Sequence, residues 1–158
     1  MNRNMRTYFY AVLGAIGGLL GWQISGLLGL SFVTNLFISE VVVGALVGFS
    51  IGLLIGITEG LIARNAVQAG RAGLIGGLLG MAAGAIGLPL SEMLFQLVGA
   101  GVIGRALGWG VFGLLLGLAE GFVGQTQMWK GMLGGFIGGA IGGLLLEWAQ
   151  NSLQNPGA

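Results

Sequence analysis

The chain has 158 residues, which limits it to one or two small domains. Hydrophobic residues make up 55% of it, glycine supplies another 35 positions, and charged residues only 7%, against roughly 25% in an average soluble domain. Six basic and five acidic residues, a net charge of +1 and no His or Cys exclude a water-soluble monomer, a nucleic-acid footprint, disulfides and Ser/His or Cys/His nucleophiles.

A helix crossing the hydrocarbon layer, about 30 Å thick, needs about 20 apolar residues. Segments between charges predict five such spans in an all-α bundle over residues 1–150. The first runs over 8–28, too long for a signal-peptide core, and is expected to be retained. The second, 41–62, follows a short loop and carries Glu59 near its end. The third, 72–94, is expected to be interrupted at Pro89. The fourth is 102–123 and the fifth 131–149, leaving a polar tail at 151–158. Strand alternation is absent, and runs this long and uniformly apolar do not suit a closed barrel.

Basic residues set the expected orientation. With five spans, Arg3, Arg6, Arg64, Arg71 and Lys130 fall on one side and Arg105 on the other. The N-terminus is therefore expected in the cytoplasm and the C-terminus outside, in the plasma (inner) membrane. Tyr8, Tyr10 and Trp129 read as inner interfacial anchors, and Trp22, Trp109 and Trp148 as outer ones.

Glycine dominates the local pattern. Gly44, Gly48, Gly52, Gly56 and Gly60 recur every four residues, as do Gly113, Gly117 and Gly121. Gly131, Gly135, Gly139 and Gly143 form one row in the fifth span, and Gly134, Gly138 and Gly142 a neighbouring one. Gly76, Gly80 and Gly84 line the third span; Gly14, Gly17, Gly18 and Gly21 mark the first. Such rows share a helical face and let backbones approach closely in lipid. Tight packing is the plain reading and a sliding, gating surface the sharper one. The two rows of the fifth span predict contacts on two sides, in a compact bundle or an oligomer.

The chain also repeats itself. Gly52-Leu53-Leu54-Ile55-Gly56-Ile57-Thr58-Glu59-Gly60 matches Gly113-Leu114-Leu115-Leu116-Gly117-Leu118-Ala119-Glu120-Gly121. A second motif begins at Gly14, Gly84 and Gly139, although the third span also aligns with the fifth through an earlier glycine. The expected order is two parallel two-helix repeats, 41–98 and 102–149, related by an axis near the membrane normal.

Arg105-Ala106-Leu107-Gly108-Trp109, then Gly113, Gly117 and Glu120-Gly121, a short basic loop and a glycine-rich helix resemble a bacterial integral-membrane module. That module occurs in or near proteins with forkhead-associated or von Willebrand A-type domains. The resemblance covers about residues 40–150. It implies a membrane-embedded assembly or anchoring element and brings no chemistry with it.

Charge inside a membrane is costly, about 2.5 to 3.5 kcal/mol on insertion scales, so the acids matter. Glu59 and Glu120 are expected near the inner ends of their spans, with Arg64, Arg71 and Lys130 on that side. They read either as interfacial ion pairs or helix-end hydrogen bonds, or as an ion or proton site between two facing carboxylates. Glu40, Glu92 and Glu147 are expected at the outer side with Arg105, as a wetted interface or a cation vestibule. Gly99-Ala100-Gly101-Val102-Ile103-Gly104 fits the dinucleotide spacing but joins two membrane spans, so it is rejected. No cofactor and no metal site is expected.

The function expected from these residues is a non-enzymatic membrane scaffold or assembly subunit in the lipid bilayer. It would be homo-oligomeric or bound to a separate membrane or soluble protein. The alternative is a small ion channel or transporter lined by Glu59 and Glu120. A pore-forming or holin-like element is a third reading.

Overall fold

Lipid offers backbone N–H and C=O groups no partner, so a chain this apolar must satisfy them within its own helices. A computed structural model describes residues 3–30, 35–99, 101–123 and 128–154. It contains α1 (Arg3–Leu27), α2 (Leu36–Ile62), α3 (Ala66–Val98), α4 (Val102–Val123) and α5 (Met128–Gln154), with no strand among the described residues. All five are long and apolar enough to cross a membrane. The protein is an all-α helical bundle, and large side chains such as Leu19, Trp22, Leu74, Ile103, Leu145 and Trp148 stand exposed on its surface.

Several boundaries differ from the charge-based expectation. α2 starts at Leu36 rather than 41, because Asn35 Oδ1 accepts the backbone N–H of Ile38 at 3.3 Å. Glu40 therefore belongs to the helix and does not precede it. α3 is not interrupted at Pro89; it runs through the residue and extends beyond both expected ends. Proline forfeits one N–H, a loss that neighbouring helices in a bundle can absorb. At 1.5 Å per residue, the 33 residues of α3 span about 50 Å, well beyond a hydrocarbon layer of about 30 Å. α5 begins at Met128 and reaches Gln154, so residues 151–154 of the expected tail are helical; 155–158 lie outside the described residues.

The turn between α2 and α3 is short and well tied. Arg64 sits in the left-handed region (φ 53°), and its N–H bonds the Leu61 carbonyl at 3.1 Å. Asn65 then caps α3, its side chain accepting from Gln68 N at 3.1 Å. Reversal in so few residues makes α2 and α3 antiparallel neighbours. The α1–α2 connection is fastened by Ser39 Oγ, which donates to the Leu30 carbonyl at 2.8 Å.

Each helix packs on its successor, and α2 also touches α4; among the described residues α1 meets α2 alone and α5 meets α4 alone. The α2–α3 seam is made of the glycine rows. A Cβ added at Gly44, Gly48 or Gly52 would fall on the carbonyl oxygen of Gly84, Gly80 or Gly76, and the relation is reciprocal. Gly56 meets Ala72, and Gly60 meets Ala69. The α4–α5 seam is built alike. Gly113 faces Gly135, Gly117 faces Gly131, Gly139 lies on the Trp109 carbonyl, and Gly121 approaches Met128. Dispersion and weak Cα–H···O contacts become available at such separations.

The other seams mix glycine with bulk. On α1 it is Gly17 and Gly21 that lie on the α2 backbone, at Ile51 and Val47, whereas Gly14 and Gly18 meet only isoleucine side chains. Gly87 of α3 receives Phe112 of α4, which is buried with Leu116 and Ala119. Of the two rows of α5, only that of Gly131, Gly135, Gly139 and Gly143 meets another helix of this chain among the described residues. Nothing comes within 4 Å of a Cβ at Gly134, Gly138 or Gly142. That face points away from α4, and among the described residues no other helix reaches it.

Candidate functional site

The start of α2, the end of α3, the start of α4 and the end of α5 meet at one end of the bundle. There the structure brings together all four residues of the expected outer charge cluster. Glu40, Glu92 and Arg105 line one cavity of about 160 Å³, with Ser91, Phe95 and Trp109. Glu147 reaches it through Arg105, whose Nε donates to Glu147 Oε2 at 3.4 Å.

Local helix geometry explains the gathering. Ser91, Glu92 and Phe95 lie within one turn of each other on α3, and Arg105 and Trp109 are four apart on α4. Glycine lets the two helices close. A Cβ at Gly108 would stand 2.7 Å from both the carbonyl oxygen and Oγ of Ser91. One at Gly104 would stand 3.2 Å from Phe95 Cδ2. Ser91 and Phe95 thus occupy space that any larger residue on α4 would take.

The electrostatics are unbalanced. One guanidinium faces three carboxylates. Arg105 is engaged twice, by Glu147 and by the Phe95 ring, whose centroid lies 4.1 Å from its guanidinium carbon. Glu92 Oε1 accepts from Gln96 Nε2 at 3.2 Å. Glu40 and Glu92 lie within each other's electrostatic reach, and neither has an ion-pair partner among the described residues. Ser91 is only 7% exposed. Its hydroxyl makes no hydrogen bond among the described residues, although Thr58 and Ser152 each bond the carbonyl four residues back.

The inner glutamates form no comparable cluster. Glu120 is half-buried near the end of α4, with neither hydrogen bond nor ion pair among the described residues. Arg64, Arg71 and Lys130 are exposed and do not pair with it; Lys130 Nζ lies 5.5 Å from the Trp129 ring centroid. Of the alternatives expected for Glu120, neither the ion pair nor the helix-end hydrogen bond is present among the described residues. Glu59 belongs to α2, and its side chain lies outside the described residues. Among the described residues no three potential ligands gather to hold a metal ion.

The sequence pattern marks the charges of the cavity but not Ser91, Phe95 or the lining role of Trp109, whose pattern is that of a lipid-interface anchor. The signal available was spacing: Ser91-Glu92 and Phe95 on one face, facing Gly104 and Gly108 one turn apart. No family model, curated protein or solved structure matches the chain.

Proposed function

We propose that this protein is a non-enzymatic membrane scaffold or assembly subunit, a glycine zipper that self-associates through α5. The observation that carries the reading is the open row Gly134, Gly138 and Gly142 beside a row of the same spacing already engaged with α4. Small residues four apart are what helix pairs in lipid use to bring backbones together. Among the described residues no other helix uses this face.

The reading includes an internal repeat. Gly52 against Gly76 corresponds to Gly113 against Gly135, and Gly56 against Ala72 to Gly117 against Gly131. α2 and α4 are then offset by 61 residues and α3 and α5 by 59. In this register Gly139 takes the place of Gly80, one turn before the motif match to Gly84. Gly17 and Gly87 still correspond, since they approach Ile51 and Phe112, themselves 61 residues apart. The repeats are parallel, in line with the bacterial module that the sequence resembles. The basic residues support a cytoplasmic N-terminus in the inner membrane.

The test uses Gly138. The chain has no cysteine, so Gly138→Cys gives a single reporter in bilayers. Self-association predicts an oxidised dimer, and Gly138→Leu should weaken association at least tenfold without unfolding the protomer. Monomers in bilayers at every protein-to-lipid ratio, or association unaffected by leucine, would overturn it. A small channel is the second reading; the half-buried Glu120, which has no partner among the described residues, favours it.

A further inference from the structure

The geometry points to a binding site for a small organic ammonium ion in the cavity between Glu40, Ser91, Glu92 and Trp109, a site separate from the assembly face on α5.

Three observations combine. First, the cavity is a real space of about 160 Å³, comparable with the cavity of about 150 Å³ that accepts benzene in an engineered protein core. Second, its charge is unbalanced. Arg105 also lines the cavity, but its guanidinium is engaged by Glu147 and the Phe95 ring, so Glu40 and Glu92 face the same space with a single, already shared cation beside them. Like charges in a partly desolvated place repel, and a bound cation turns that cost into attraction. Third, Ser91 as a residue is more than nine-tenths buried, and its hydroxyl, which lines the same cavity, makes no hydrogen bond among the described residues. Packing alone would let that hydroxyl bond its own helix, as Thr58 does.

The class of cation follows from the walls. Calcium takes six to eight oxygen ligands at about 2.3–2.6 Å, and no group of three potential metal ligands gathers among the described residues. Leu88, Phe95 and Trp109 give the cavity apolar and aromatic sides. An ammonium on a short apolar body meets both demands. Its N–H groups go to Glu40, Glu92 and Ser91, and its carbon skeleton lies along Trp109. A free amine and an ethanolamine lipid headgroup both carry this ammonium, and α3 is long enough to bring this end toward the headgroups.

The experiment uses the full chain in phosphatidylglycerol nanodiscs, titrated with benzylammonium and, as its neutral counterpart, benzyl alcohol. Binding is read by ligand-observed NMR. The expected result is saturable benzylammonium binding at least tenfold tighter than that of the alcohol. Glu40→Gln with Glu92→Gln should weaken it at least tenfold, Ser91→Ala severalfold, and Lys130→Gln not at all. The single glutamine variants serve if the double variant loses its helical circular dichroism. Nanodiscs of phosphatidylethanolamine separate the two sources, because a headgroup in the site competes and lowers benzylammonium affinity. Equal binding of amine and alcohol, no saturable binding, unaltered affinity in the glutamine variants, or calcium that benzylammonium cannot displace would each overturn the assignment.

Discussion

Arg105 and Glu147 are 42 residues apart in sequence and join α4 to α5 through an Nε–Oε2 contact of 3.4 Å. The pair is partly buried, with side-chain exposures of 25% and 18%, so screening reduces its worth below that of a dry ion pair. Its two halves are not equivalent. Glu147 has one cationic neighbour, whereas Arg105 also stands beside the cavity that Glu40 and Glu92 line.

Removing the arginine should therefore cost more than removing its partner. Glu147→Gln gives up the pair, about 0.5–1 kcal/mol. Arg105→Gln gives up the pair and the ring contact and leaves Glu40, Glu92 and Glu147 without the cation beside them, for a loss of about 2 kcal/mol or more. The extra loss is electrostatic, so it should shrink as added salt screens the carboxylates. Thermal unfolding of both variants in the same detergent, compared between low and high ionic strength, checks the order and the sign. A larger loss for Glu147→Gln, or no salt dependence of the difference, contradicts the charge balance described for the cavity.

One substitution at two glycines should give opposite signs. At Gly48 a methyl group lands on the carbonyl oxygen of Gly80, so Gly48→Ala must push α2 and α3 apart. Overpacking of this kind typically costs about 1–3 kcal/mol. At Gly138 nothing lies within 4 Å. Gly138→Ala there should raise helix stability by about 0.5–1 kcal/mol, through the lower entropy of the unfolded chain. Unfolding of the monomer in dilute micelles measures both. The same sign at both positions would contradict the roles given to the two rows.

The turn before α3 offers a cap to remove. Asn65 satisfies the N–H of Gln68, and Asn65→Ala should cost about 1 kcal/mol. Asn65→Ser, which keeps a side-chain acceptor, should recover most of it. Amide exchange at residues 66–69 would report the fraying directly, with faster exchange in the alanine variant alone.

Much of this architecture is written in the composition, and the reason is periodicity. Gly44 through Gly60 repeat every four residues, which fixes both the helix and the face it turns to α3. Lipid then removes the alternatives to helix, so the five spans follow from hydropathy. The cavity is harder to read because its lining comes from three helices. Glu40, Glu92 and Arg105 stand out as rare charges, but Ser91 and Trp109 become lining residues only when α3 and α4 are rotated as Gly104 and Gly108 allow. The same limit applies to α5. Its two rows look alike in sequence, and only the packed helices separate the engaged row at Gly135 from the open one at Gly138. Pro89 misleads for a related reason, since a breaker in water is tolerated where neighbouring helices leave the segment no freer state.

The inner glutamates discriminate the scaffold from the channel. Glu120 has no ion pair or hydrogen bond among the described residues, and its counterpart in the proposed repeat is Glu59. If the two line a conduction path, neutralising both must change the flux, because fixed carboxylates set cation selectivity. If the protein is a scaffold, Glu59→Gln with Glu120→Gln should leave vesicles as tight as the parent protein does. It should also leave self-association through Gly138 intact. Proton and potassium leak in reconstituted vesicles, measured beside cross-linking of Gly138→Cys, reads both properties from one preparation. The expected outcome is negligible leak from parent and variant alike, with cross-linking unchanged. Measurable cation flux from the parent that the paired glutamine changes abolish would replace the scaffold with the channel.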